Sequence, residues 1–239
     1  MSSDSRRVTL GTEAIEYNMT ESPDATEPRI DVDIHGVTVV LPEGDNTDPE
    51  LLLHENYQWV LDKREKYEHY REQAPERHFE ARETFPYLDQ PHEVVVERRP
   101  TSEVTEDELR LAQHHVTQTS IRQALESLYR RKARERFEAR AEHFATQMDV
   151  EYEEIEIRNQ RTKWGSCSSS GTLGLNWRLM MAPPEIIDYV VVHELAHLQE
   201  PNHTKGFWRF VGEYDPDYAD HADWLDEHST RLIFSDEDL

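Results

Sequence analysis

Residues 186–197 restrict what this chain can fold into more than any other stretch. An apolar run, Ile186-Ile187 and Tyr189-Val190-Val191-Val192, leads directly into His193-Glu194-Leu195-Ala196-His197. Pro183-Pro184 make a suitable helix start, because proline is tolerated in the first turn, and Pro201 stops the helix after Gln199-Glu200, giving an expected helix over 184–199. A helix this apolar must be buried, and burying two histidines and a glutamate without partners is costly. A metal ion is the economical partner. Residues four apart share a helix face, so His193 and His197 can aim their imidazoles at one point. Neutral imidazole suits zinc, and a catalytic zinc takes three protein ligands and leaves a fourth position for water. Zinc lowers the pKa of that water from 15.7 to about 7. Glu194, about 100° further round the helix, can reach the water rather than the metal, which is the logic of the H-E-x-x-H pattern. The expected cofactor is therefore Zn2+, with His193 and His197 as ligands and Glu194 as general base.

The third ligand is less constrained. His203 follows His197 by six positions, the metzincin spacing, but Glu200 stands where those proteins have glycine, and no methionine follows His203, which excludes a Met-turn. His203 is preferred because the break at Pro201-Asn202 gives it a local reason to turn inward. Glu213, Asp217 and Glu227 are the carboxylate alternatives. Tyr214, Tyr218 and His221 lie at plausible distances downstream for stabilising an oxyanion, and none is assigned that role.

Charge bears on partners. Fifty acidic against 26 basic residues give a formal net charge of −24, a field that repels nucleic-acid phosphates and anionic membranes. Five of the basic residues are lysine and the other 21 arginine, a bias that, with so much acid, reads as a halophilic-type acidic surface. Nucleic acid is not an expected partner. The dense basic stretch Arg130-Arg131-Lys132, Arg134, Arg136, Arg140 is interleaved with Glu126, Glu135, Glu138 and Glu142, so ion pairing along one helix is expected there. The single cysteine, Cys167, excludes an internal disulfide and is expected in the core. Residues 1–17 lack the apolar segment of a signal peptide, and no apolar run approaches the roughly 20 residues of a membrane span. A cytoplasmic protein without membrane contact is expected, its oligomeric state open.

Along the chain, residues 1–28 read as a poorly ordered or extended segment in which Tyr17 belongs at most to a short strand. Residues 29–100 read as a strand-rich region with one helix: Ile30 to Ile34 alternates as a strand, Gly36 turns, Val37 to Leu41 is its partner, a helix covers 49–73, and Val94-Val95-Val96 marks one of two short strands. Residues 101–118 read as a connection with some helix. Residues 119–239 form the remaining domain. It comprises a long amphipathic helix from Ile121 to Met148, strands at 152–158, 163–168 and 172–177 with a turn at Ser168–Gly171, the metal helix, a helix capped by Thr204 with core aromatics Phe207, Trp208 and Phe210, and a final short helix near Trp224. No internal sequence repeat is visible.

Together, these motifs resemble a known family. Arg161-Thr162-Lys163-Trp164-Gly165-Ser166-Cys167, Leu175-Asn176-Trp177-Arg178-Leu179, His193-Glu194-Leu195-Ala196-His197-Leu198 and Asn202-His203 with Phe207-Trp208 look like the YgjP-like metallopeptidases, relatives of SprT-like and Wss-type proteases. The resemblance implies an α+β fold whose zincin-like core has a small antiparallel sheet packed on the H-E-x-x-H helix. It also implies zinc held by His193, His197 and His203, Glu194 as base, and hydrolysis of peptide bonds in a peptide or protein substrate. The strand around Trp164 would border the cleft, with Arg161, Lys163, Trp164 and Ser166 facing substrate. Two alternatives are a SprT-like nucleic-acid-associated protease or adaptor and a non-catalytic zinc-binding module. An intact Glu194 argues against the latter.

Overall fold

The alternating pairs Val8/Leu10, Ile15/Tyr17 and Val37/Val39/Leu41 place one apolar face on each of three neighbouring strands, and in the computed structural model these faces close a core. The structure describes residues 4–23, 25–33, 35–72, 74–160, 163–235 and 238. It divides into two units, residues 1–74 and 75–238.

In the first unit, β1 (Asp4–Leu10) and β2 (Glu13–Ser22) form an antiparallel hairpin turning at Gly11, whose φ of +63° favours glycine. β3 (Arg29–Asp33) and β4 (Gly36–Pro42) form a second hairpin, as expected from the Gly36 turn; Ile34 lies outside the described residues. β2 and β4 pair in parallel, giving the order β1-β2-β4-β3. The segment before residue 28, expected as extended or poorly ordered, thus supplies two strands of the sheet.

The helix expected over 49–73 is two helices. α1 (Pro49–Glu55) is capped by Asp48, which accepts the Glu50 N–H at 2.9 Å. Asn56 leaves helical geometry (φ −113°) while its side chain donates to the Leu52 carbonyl, and α2 (Tyr57–Glu72) starts afresh. Leu53 and Val60 complete the core.

The second unit opens with β5 (Thr84–Tyr87) and β6 (Gln90–Glu97), a hairpin turning at Leu88-Asp89, both at positive φ. The stretch expected as a connection over 101–118 instead contains β7 (Glu103–Val104), β8 (Glu108–Ala112) and α3 (Gln113–Gln118). β8 lies inside the sheet order β5-β6-β8-β7, parallel to β6, with Leu109 and Leu111 fully buried. Its Glu-Leu-Arg-Leu-Ala alternation is that of a half-buried strand.

α4 (Ile121–Met148) begins where Ser120 accepts the Gln123 N–H and ends at Asp149 in the left-handed region. One stripe, including Leu125, Leu128, Ala133, Phe137, Ala141 and Met148, is buried. β9 (Glu154–Arg158), β10 (Gly165–Cys167) and β11 (Thr172–Asn176) form a sheet ordered β10-β11-β9. The antiparallel sheet expected here is mixed: β10 and β11 form an antiparallel hairpin, and β11 inserts between β10 and β9 running parallel to β9. A short 3-10 turn, Trp177–Met181, then feeds α5 (Pro184–Ala196). α6 (Lys205–Tyr214) and α7 (Tyr218–His228) complete a mixed α/β fold with three small mixed sheets. No helix among the described residues is long and apolar enough to cross a membrane.

Arg140 of α4 grips Asp188 of α5 with two parallel bonds of 2.6 and 2.9 Å, which fixes the rotation of α5 about its axis. Three other basic residues of α4 pair along the helix as expected, Arg130 with Glu126, Lys132 with Glu135 and Arg134 with Glu138, whereas Arg131 donates to the Ser102 carbonyl instead.

Candidate metal centre

α5 ends at Ala196, and residues 197–199 form a turn rather than the last helical turn expected. Pro201 prevents continuation. Thr204 then caps α6 by accepting the N–H groups of Gly206 and Phe207 at 3.1 and 3.4 Å. This helix–turn–helix returns His203 to the face that carries His193 and His197. One side-chain nitrogen from each of the three lies within 4.8 Å of the others, and the Nε2 atoms of His193 and His203 stand 3.0 Å apart. Glu213, Asp217 and Glu227 do not join this cluster among the described residues.

The rings rest on α6. Phe207, fully buried, lies 4.6–4.9 Å from all three imidazoles, centroid to centroid. Trp208 stacks on His203 at 5.6 Å, and Tyr218 stacks on Trp208 at 5.3 Å. Nδ1 of His197 faces the Glu200 carbonyl at 3.3 Å, and donation there leaves Nε2 as a lone pair.

Burial pushes His193 down to about 3, helped by the neighbouring His197 and His203; His197 and His203 are also lowered, chiefly by burial. All three are therefore neutral near pH 7, with lone pairs converging. Tetrahedral ligands about 2.0–2.1 Å from a zinc ion stand roughly 3.3 Å apart. The donor set and its spacing thus suit one zinc-sized cation.

Glu194 is 6 % exposed. Burial raises its carboxyl to about 8, against the pull of the Lys163 ammonium. β10 passes so close that a Cβ on Gly165 would stand 2.6 and 2.7 Å from Cγ and Cδ of Glu194. Only glycine fits there. Gly165 is not among the residues that the motifs mark as functional, although a glycine inside a strand pattern is a signal of close approach.

Of the expected cleft residues, Lys163 lies two residues before β10 and is exposed, while Trp164, immediately before the strand, is half-buried against the core. Ser166 is half-buried within β10, which is an edge strand of its sheet; Arg161 lies outside the described residues. Cys167 packs against the core, its thiol pushed up to about 11 by burial and by Glu194. His221 pairs with Asp215 at 2.8 Å, and Tyr214 packs edge-on to Phe210. Tyr189, which in the sequence is only one member of an apolar run, also borders the site. Its ring lies 5.8 Å from His193, and burial, with Asp215 and Glu194 nearby, raises its hydroxyl to about 12.

The sequence matches the model of the YgjP-like family, metallopeptidase domain, over residues 26–228. Among solved structures, the metallopeptidase zymogen abylysin of Pyrococcus abyssi is 25 % identical over a match covering 36 % of this chain and 90 % of that one, with a TM-score of 0.32. No curated protein matches the sequence.

Proposed function

The chain belongs to the YgjP-like metallopeptidase family, and from that premise we propose a zinc-dependent peptidase with a zincin-like core, in which His193, His197 and His203 hold the zinc and Glu194 is the general base. The observation that carries this reading is the convergence of three imidazole nitrogens within 4.8 Å beside the buried Glu194 carboxyl.

A bound zinc ion would supply Lewis acidity to the scissile carbonyl and to the attacking water. Glu194 takes the proton from that water and returns it to the nitrogen of the leaving amine. Burial raises the proton affinity of Glu194 into the range where one carboxylate can both accept and release a proton near neutral pH. Gly165 lets β10 run against that carboxylate. A peptide added along the edge of β10 then brings its carbonyl to Glu194, with Lys163, Trp164 and Ser166 beside it. Nucleic-acid association has less support, because Arg130, Lys132 and Arg134 are already held by glutamates.

Cleavage of a peptide library at high salt, by wild type and by Glu194→Gln at matched zinc content, tests this function. Wild type is expected to cleave and the variant to be slower by at least about 10²-fold. Undiminished cleavage by Glu194→Gln would remove its assigned role, and zinc-loaded wild type without cleavage would overturn the peptidase.

A further inference from the structure

Arg178, in the 3-10 turn after β11, is ion-paired with Asp238, 60 residues further along, and the two side chains are only 4 % and 11 % exposed. The same Asp238 carboxylate accepts the backbone N–H groups of Phe234 and Ser235 at 3.1 and 3.0 Å. Phe234 is buried edge-on to Trp177, with ring centroids 4.9 Å apart. Asp238 thus ties Phe234, Ser235 and the guanidinium of Arg178 into one buried cluster.

On its other side this cluster reaches the cleft. Arg178 donates through Nη1 to the Gln160 carbonyl at 3.3 Å and to Oδ1 of Asn176 at 3.4 Å. The buried Asn176 side chain donates to the carbonyls of Gln160 and Lys163 at 2.7 and 3.1 Å, and its backbone N–H bonds the Trp164 carbonyl at 2.9 Å. Gln160, Lys163 and Trp164, which lead into Gly165 and the Glu194 carboxyl, therefore hang on Asn176 and Arg178. The acid that neutralises Arg178 among the described residues is Asp238. A buried guanidinium deprived of its carboxylate is strongly destabilised and shifts toward water.

We infer that Asp238 is a positioning residue: through Arg178 and Asn176 it sets the Lys163–Gly165 backbone at the height where a substrate strand pairs with β10. The inference rests on the cleft proposed above. Asp238 touches neither the histidine cluster nor Glu194, so its loss should weaken peptide binding and leave the chemical step alone.

The test uses the full zinc-loaded chain as wild type, Asp238→Asn, which keeps shape but removes the charge, and Asp238→Glu, which restores it. Asp238→Asn should raise KM for an unstructured peptide about tenfold with kcat within about twofold, and Asp238→Glu should recover part of that loss. Amide exchange at residues 164–167 should accelerate about tenfold in Asp238→Asn, while residues 190–192 of α5 stay unchanged. Unchanged exchange at 164–167 overturns the inference, as does a fall in kcat with KM constant. Equal acceleration in α5 overturns it too, by showing a general staple. Absence of cleavage by wild type strikes the peptidase reading instead, and the exchange arm still decides the role of Asp238. Should Asp238→Asn unfold, the pair Arg178→Met/Asp238→Leu leaves no lone buried charge and is read on the same measurements.

Discussion

The sheets β1-β2-β4-β3 and β5-β6-β8-β7 have the same topology: two antiparallel hairpins whose inner strands pair in parallel, followed by helices. The helices themselves differ. In the first unit, α1 and α2 add Leu53 and Val60 to the core, and Leu51, Tyr57 and Trp59 stay 44–57 % exposed. In the second unit, α4 buries ten of its 28 residues. That buried stripe supports α5, which Arg140 locks in rotation and which carries His193, Glu194 and, just past its end, His197. A shared sheet thus says little about chemistry, which enters with the elements that the longer helix makes room for.

Core truncation separates the two units most strongly. Phe137→Ala should lower stability by about 3–5 kcal/mol in thermal or urea unfolding, and should also weaken zinc binding, because α4 is the platform of α5. If zinc affinity is untouched in a folded Phe137→Ala, α4 is not that platform.

A smaller effect is expected from pH in the zinc-free protein. His193, lowered from 6.5 to about 3, contributes stability that is present above pH 6.5 and lost as pH falls toward 3. Glu194, raised from 4.5 to about 8, acts the other way: its contribution is intact below pH 4.5 and is lost as pH rises through 8. Above pH 6.5 only the glutamate slope remains, so zinc-free stability should decline by about 1–2 kcal/mol between pH 6.5 and 8. Denaturant titrations of Glu194→Gln should show that slope abolished; a slope that persists in the variant assigns it to another group. Smallest of all, Trp59→Ala on the exposed face of α2 should change stability by no more than about 0.5 kcal/mol, with zinc affinity unaltered. A larger loss of stability would mean that the Trp59 ring is packed into the core of its own unit.

The parts legible in the sequence were those whose cause is local. The apolar run into His193, the proline boundaries of α5, the Ser120 and Thr204 caps and the stripe of α4 each need only a few neighbouring residues. Pairing between distant strands was not legible. β8 looked like a connection because its burial comes from lying parallel to β6, and β1 and β2 hid in a polar segment because only alternate residues face the core. Asn56 interrupted a continuous helical period through a side-chain bond that periodicity does not encode. The histidine cluster could be anticipated from spacing, whereas the Gly165 contact with Glu194 and the Arg178–Asp238 pair depend on tertiary approach.

Whether the three imidazoles form one metal centre is decided most directly by zinc-edge X-ray absorption on protein loaded with one equivalent of zinc, with His203→Ala alongside. Three imidazole nitrogens at about 2.0–2.1 Å are expected in wild type and two in the variant. A wild-type spectrum with sulfur in the coordination sphere, or one unchanged by His203→Ala, would contradict the three-histidine centre.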